Sequence, residues 1–138
     1  MQKKMGVVCG FSLIELLIVV LIFAIIAKIA ISSFVTYELK GRRSDGINAV
    51  LAVSLGEERY RSTNATYGTL ANVYSGSTSP QGYYNLAVTV NTATNYTITA
   101  TATGNQTSDA ESGTSCSTLT LTVVSGTITK TPAACWPS

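Results

Sequence analysis

One stretch limits what this chain of 138 residues can fold into: from Leu13 to Ala27 every side chain is apolar except a single carboxylate, Glu15. Extended to Phe11 and Ile31, the run reaches the roughly twenty residues that cross a bilayer as a helix. A charge in such a span costs roughly 2.5–3.5 kcal/mol even on a lenient insertion scale, so Glu15 needs a positive partner. A short basic start (Met1, Gln2, Lys3, Lys4) runs up to Gly10-Phe11, just before the apolar run. Cleavage after Gly10 would create such a partner, the new ammonium of Phe11. An ordinary secretory signal carries its apolar region ahead of the cut and loses it; here the apolar region follows the cut and stays. Lys3 and Lys4 precede the span, so the positive-inside rule puts the start in the cytoplasm and the rest outside.

The run Gly10 to Val20, GFSLIELLIVV, closely resembles the amino terminus of type IV prepilins. The resemblance implies a leader of residues 1–10, a cut by a membrane prepilin peptidase after Gly10, N-methylation of Phe11 by the same enzyme, and an assembly role for Glu15. It also implies a bacterial inner-membrane subunit that an assembly platform moves into an extracellular filament of other pilins. Two positions depart from the family pattern: Ala24 and Ser32 stand where many relatives have glycine and proline, breakers between which the helix unwinds in filaments. Lys28 also stands where similar proteins carry a small apolar residue. In a bilayer it can snorkel to the outer interface; it lies thirteen residues after Glu15, about 20 Å along a helix, too far to pair within one chain.

Helical character continues past the span. Ile47, Val50, Leu51 and Ser54 follow the i, i+3, i+4, i+7 spacing of one face. Glu38 with Arg42, and Glu57 with Arg61, stand four apart with the acid first, the favourable order for helical pairs. The spacing predicts one helix over residues 11–62, transmembrane over 11–31, although Gly41, Gly46 and Gly56 each cost about 1 kcal/mol against alanine. Residues 63–82 are rich in Gly, Ser, Asn and Pro and read as a connecting loop. From 83 onward four alternating runs follow: Tyr84 to Val90, Tyr96 to Ala102, Leu119 to Val123, and Thr127 to Lys130. Asn91 to Asn95 and Ser125-Gly126 supply the turns. Such strands make an antiparallel sheet with one apolar face, and the amphipathic half of the helix is the element available to cover it.

This α+β layout is similar to the pilin fold: a long amino-terminal helix, transmembrane in its first half, packed on a four-stranded antiparallel sheet with a disulfide-closed carboxy-terminal loop. Arg43 to Tyr60, Tyr83 to Leu86, Tyr96 to Ala102, Gln106 to Asp109, Cys116 and Cys135-Trp136 look like the PilE-type minor pilins of type IVa pili. Cys9 would leave with the leader, and Cys116 and Cys135 would remain in an oxidising compartment where a bridge persists; two free buried thiols are the alternative.

Chemistry is sparse. The chain has no histidine, which excludes histidine-based general-base catalysis and histidine metal ligation; no cofactor or metal is expected. Asp109 and Glu111 fall short of the six or more oxygens a calcium site needs and read as a solvated loop. The 9 basic and 7 acidic side chains come into balance once Lys3 and Lys4 leave, so bulk charge does not draw nucleic acid. Arg42, Arg43, Arg59 and Arg61 are candidate DNA contacts, set against a helix face balanced by nearby acids. Ser138 is a candidate glycan site. The reading is a minor pilus subunit supporting adhesion, twitching motility or DNA uptake, with a DNA-binding pilus receptor and a type II secretion pseudopilin as alternatives, and no enzyme activity.

Overall fold

The computed structural model describes residues 10–89 and 92–137, without the side chains of Ser32 and Ser33. Lys3, Lys4, Val90, Asn91, Ser138 and any bending role of the two serine hydroxyls lie outside the described residues. One helix, α1 (Leu13–Arg61), carries the long periodic stretch, and the chain divides within it into two compact units, up to Val35 and from Thr36.

In the first unit the carbonyl of Ser12 accepts from the amides of Glu15 and Leu16 at 3.1 and 3.2 Å. Glu15 thus falls in the opening turn, where the helix macrodipole favours a negative charge. Every described residue from Phe11 to Ile31 is exposed, and an apolar window of 18 residues has a mean hydropathy of 2.9 with none of it buried. A helix apolar on all sides needs surroundings of its own kind, lipid or other helices.

The second unit is built on a sheet of order β1-β2-β5-β6, formed by β1 (Tyr84–Thr89), β2 (Asn95–Ala102), β5 (Thr118–Val124) and β6 (Thr127–Thr131). All three pairings are antiparallel, with Leu86 opposite Ala100, Ile98 opposite Leu121, and Val123 opposite Ile128. Alternation sends Tyr84, Leu86, Tyr96, Ile98, Ala100, Leu119, Leu121 and Val123 to one face, where they form a single core with Ile47, Ala49, Val50 and Val53 of α1. Ser125 (φ 49°) and Gly126 (φ 83°) both take the left-handed conformation, the geometry a two-residue hairpin turn demands. Between β2 and β5 the chain makes a 3-10 turn (Gly104–Ser108) and a small hairpin of β3 (Ala110–Glu111) and β4 (Thr114–Ser115). Cys116 and Cys135 are joined, with Cα atoms 5.6 Å apart. The cysteines are 19 residues apart in sequence, and closing such a loop stabilises the fold by roughly 3 kcal/mol in the chain-entropy account.

Several details differ from the sequence reading. The covering face of α1 is centred on Val50 and runs through Arg43, Gly46, Ile47, Val53 and Glu57, while Leu51 is 43 % exposed. At about 100° per residue Leu51 stands a quarter-turn off that face, so spacing alone admitted it and left out Val53. Glu57 and Arg61 do not pair: Glu57 is buried on the Gly68 amide and Arg61 donates to the carbonyls of Ala93 and Asn64. The connecting loop contains one helical turn, α2 (Leu70–Val73).

Two of the three helix glycines are explained by close approach. A Cβ on Gly46 would meet the Tyr84 ring at 2.7 Å, and one on Gly56 would run into the Val73 carbonyl. Backbone cannot move aside as a side-chain tip can, so Gly56→Ala should cost about 1–3 kcal/mol by overpacking despite alanine's better helix propensity. The urea midpoint of the unit from Thr36 onward checks this, and a stabilised variant would contradict it.

Candidate functional site

The polar residues of the second unit gather at two separated places along α1. At the nearer of these to Thr36, Arg43 is 6 % and Asp109 2 % exposed. The guanidinium grips the carboxylate as a fork, Nε to Oδ2 at 2.6 Å and Nη2 to Oδ1 at 2.7 Å, and reaches Glu111 at 3.1 Å. Lys40 meets Glu111 from outside at 2.9 Å. Gln106, fully buried, donates to the Tyr84 hydroxyl and the Leu39 carbonyl at 3.0 Å and to Asp109 at 3.2 Å. The hydrogen bond that Arg43 donates to Asp109 raises the Arg43 pKa, and those that Glu111 accepts from Lys40 and Arg43 lower that of Glu111. Removing one partner of a buried pair leaves an uncompensated charge, at a cost of about 3–5 kcal/mol.

This corrects two expectations. Asp109 is not part of a solvated loop but the buried anchor of the segment between β2 and β5. Arg43 is not free for a DNA phosphate, and its neutralising acids come from far along the chain rather than from its own helix. A sequence signal existed, because Arg43 and Glu57 occupy the same helix stripe as Ile47 and Val50; charges on an apolar stripe need buried partners. Arg42 is held by Glu38 and lies 4.7 Å from the Tyr83 ring centre.

Arg59 and Arg61 stand seventeen and nineteen residues beyond Arg42, about 25 Å or more along the helix, so the four arginines do not form one patch. Arg59 is exposed with no side-chain partner among the described residues, and Arg61 contacts only carbonyls, which leave its charge uncancelled. Lys130 on β6 is also exposed, 5.4 Å from the centre of the Trp136 ring; Trp136 is itself buried and donates to the Thr131 carbonyl at 3.2 Å. In the first unit Gly10, Phe11 and Glu15 are all exposed, and Glu15 has no side-chain partner among the described residues.

A family model described as "Type IV minor pilin ComP, DNA uptake sequence receptor" matches residues 32–120, well over half of the chain. The chain belongs to this family. A second model, the prokaryotic N-terminal methylation motif, matches residues 5–28. No curated protein matches the chain. This minor pilin therefore has a methylation-type leader followed by an apolar helix suited to inner-membrane anchoring before assembly, and its family implies assembly with other pilins and a prepilin peptidase.

Among the described carboxylates of the second unit, Glu57 is the one whose burial opposes its charge. Burial pushes its pKa up, and the Gly68 amide, 2.7 Å from Oε2, offsets only part of this; Oε1 has no partner among the described residues. A raised pKa in the folded state means that stability falls as pH rises from the ordinary value of 4.5 through the raised one. Glu57→Gln keeps an acceptor for Gly68 without the charge. It should be more stable than wild type at neutral pH, with the difference vanishing below about pH 4. Urea titrations of both proteins across that range would show a constant difference if the charge were harmless.

Proposed function

We propose that this minor pilin is cut between Gly10 and Phe11, methylated on Phe11, and held in the bacterial inner membrane with its start in the cytoplasm. The assembly platform then moves it into a type IV pilus, where its sheet-bearing unit serves as a DNA-uptake receptor. The family match over residues 32–120, which includes most of that unit, carries the receptor reading. The cations left uncancelled, Arg59, Arg61 and Lys130, supply phosphate contacts; Arg42 and Arg43 are spent on protein partners. No step in this role calls for catalysis. The alternative of a purely structural subunit predicts normal filaments and no DNA affinity.

Binding to duplex DNA should weaken linearly with the logarithm of salt, and Arg59→Ala should reduce that slope by about one, as loss of one phosphate contact requires. An unchanged slope would remove Arg59 from the interface, and absence of salt-dependent binding would leave the structural reading.

Entry into the filament is assigned to Glu15, paired with the Phe11 ammonium of a neighbour. Glu15→Leu should be processed, since the cut site is intact, yet be depleted from sheared pili. Amino-terminal mass spectrometry should find wild type and variant both beginning at methylated Phe11. A wild-type chain still beginning at Met1, or a variant in pili at wild-type levels, would contradict this assignment.

A further inference from the structure

Lys28 is a cation on a surface made of Ile, Leu, Val, Phe and Ala. It is exposed and has no ion pair or hydrogen-bond partner among the described residues, and Glu15, the only acid in the first unit, is in the same condition. Thirteen helical residues separate them, which is about 20 Å along the axis and about 140° around it. They therefore sit at different heights and on nearly opposite faces, so each can face a different neighbour but never the other.

We propose that Lys28 sets register between subunits, its ammonium taking the Glu15 carboxylate of a second copy of this chain displaced about 20 Å along the helix. The inference rests on the reading of Glu15 as an assembly residue. Charge selects this occupant. Of the acids in the second unit, Glu38 is engaged by Arg42, Asp109 by Arg43, and Glu111 by Lys40 and Arg43. Asp45 and Glu57 are buried, and Glu58 already accepts from the hydroxyls of Tyr67 and Tyr96. Glu15 is left, with two oxygens, one for the Phe11 ammonium of a neighbour and one for Lys28.

Because the two charges lie on nearly opposite faces, the contact joins different surfaces of the two copies. Each copy that gives its Lys28 to one neighbour keeps its Glu15 for another. A head-to-tail contact with an axial displacement does not close on itself and propagates as an open helical array. Before assembly the same lysine lies about 25 Å beyond Phe11, near the far side of a hydrocarbon layer of about 30 Å, where its stem lets the ammonium reach the interface.

The test uses full-length chains and keeps both charges. Ile25 and Ser12 are also thirteen residues apart, so copies carrying Ile25→Cys and Ser12→Cys, coexpressed, place their thiols in the proposed register. A short bis-maleimide should join them in sheared filaments about tenfold more than a control pair of Ile25→Cys with Ile22→Cys, which lies on the Glu15 face but about 15 Å too high. Lys28→Leu should lower incorporation about tenfold at matched membrane level, a difference of about 1.4 kcal/mol, and Lys28→Arg should restore it. Lys28→Leu incorporated at or above wild type, or no preference for the Ser12 pair, would overturn the proposal. If Glu15→Leu is still excluded in that case, only the Lys28 contact fails; if it too is incorporated, the assembly role of Glu15 falls with it.

Discussion

The Arg43–Asp109 pair ties together parts of the second unit that apolar burial leaves loose. The sheet and α1 share a continuous core, but the segment between β2 and β5 contributes few large apolar side chains to it. That segment is held by charge and hydrogen bonds: the guanidinium fork on Asp109, the Gln106 amide on Tyr84 and Leu39, and Lys40 closing over Glu111. The Asp109 carbonyl in turn receives the amide of Cys116 at 2.9 Å, so the ion pair also positions one end of the disulfide. A desolvated pair costs its members their hydration and is no bonus over a well-packed apolar cluster. What it supplies is direction, since a bidentate contact admits one orientation of the loop on the helix.

That use of charge explains which cations remain for a polyanion. An arginine with a carboxylate partner presents almost no net field, whereas Arg61 on carbonyls and Arg59, without a side-chain partner among the described residues, keep theirs. The far end of α1 carries acids as well, Glu57 buried on the Gly68 amide and Glu58 on the Tyr67 and Tyr96 hydroxyls, so the positive charge there is confined to the Arg59 and Arg61 side chains.

The four-stranded sheet, its strand limits to within about a residue, and the covering role of α1 were legible in the sequence, while the β3–β4 hairpin was not. Alternation in Tyr84 to Thr89, Asn95 to Ala102 and Thr118 to Val124 has a period of two residues, and one-face burial enforces it. Positive φ at Ser125 and Gly126 was implied by their place between alternating runs. Less legible were features that depend on distant partners. Leu51 and Val53 are equally apolar, and their separation into exposed and buried follows from how α1 is rotated on the sheet. Gly46 and Gly56 looked like helix defects until Tyr84 and the Val73 backbone were placed against them.

The sequence by itself determined the apolar span, its lone carboxylate, the methylation-type leader and the α+β order of elements, because each is written in neighbouring residues or short-period patterns. Only the tertiary structure decided that Arg43 is spent inside the fold and that Glu57 is buried on Gly68 rather than paired with Arg61. Those outcomes depend on contacts across as many as 68 residues. The energy of such a contact is set by burial and orientation, neither of which a linear pattern records.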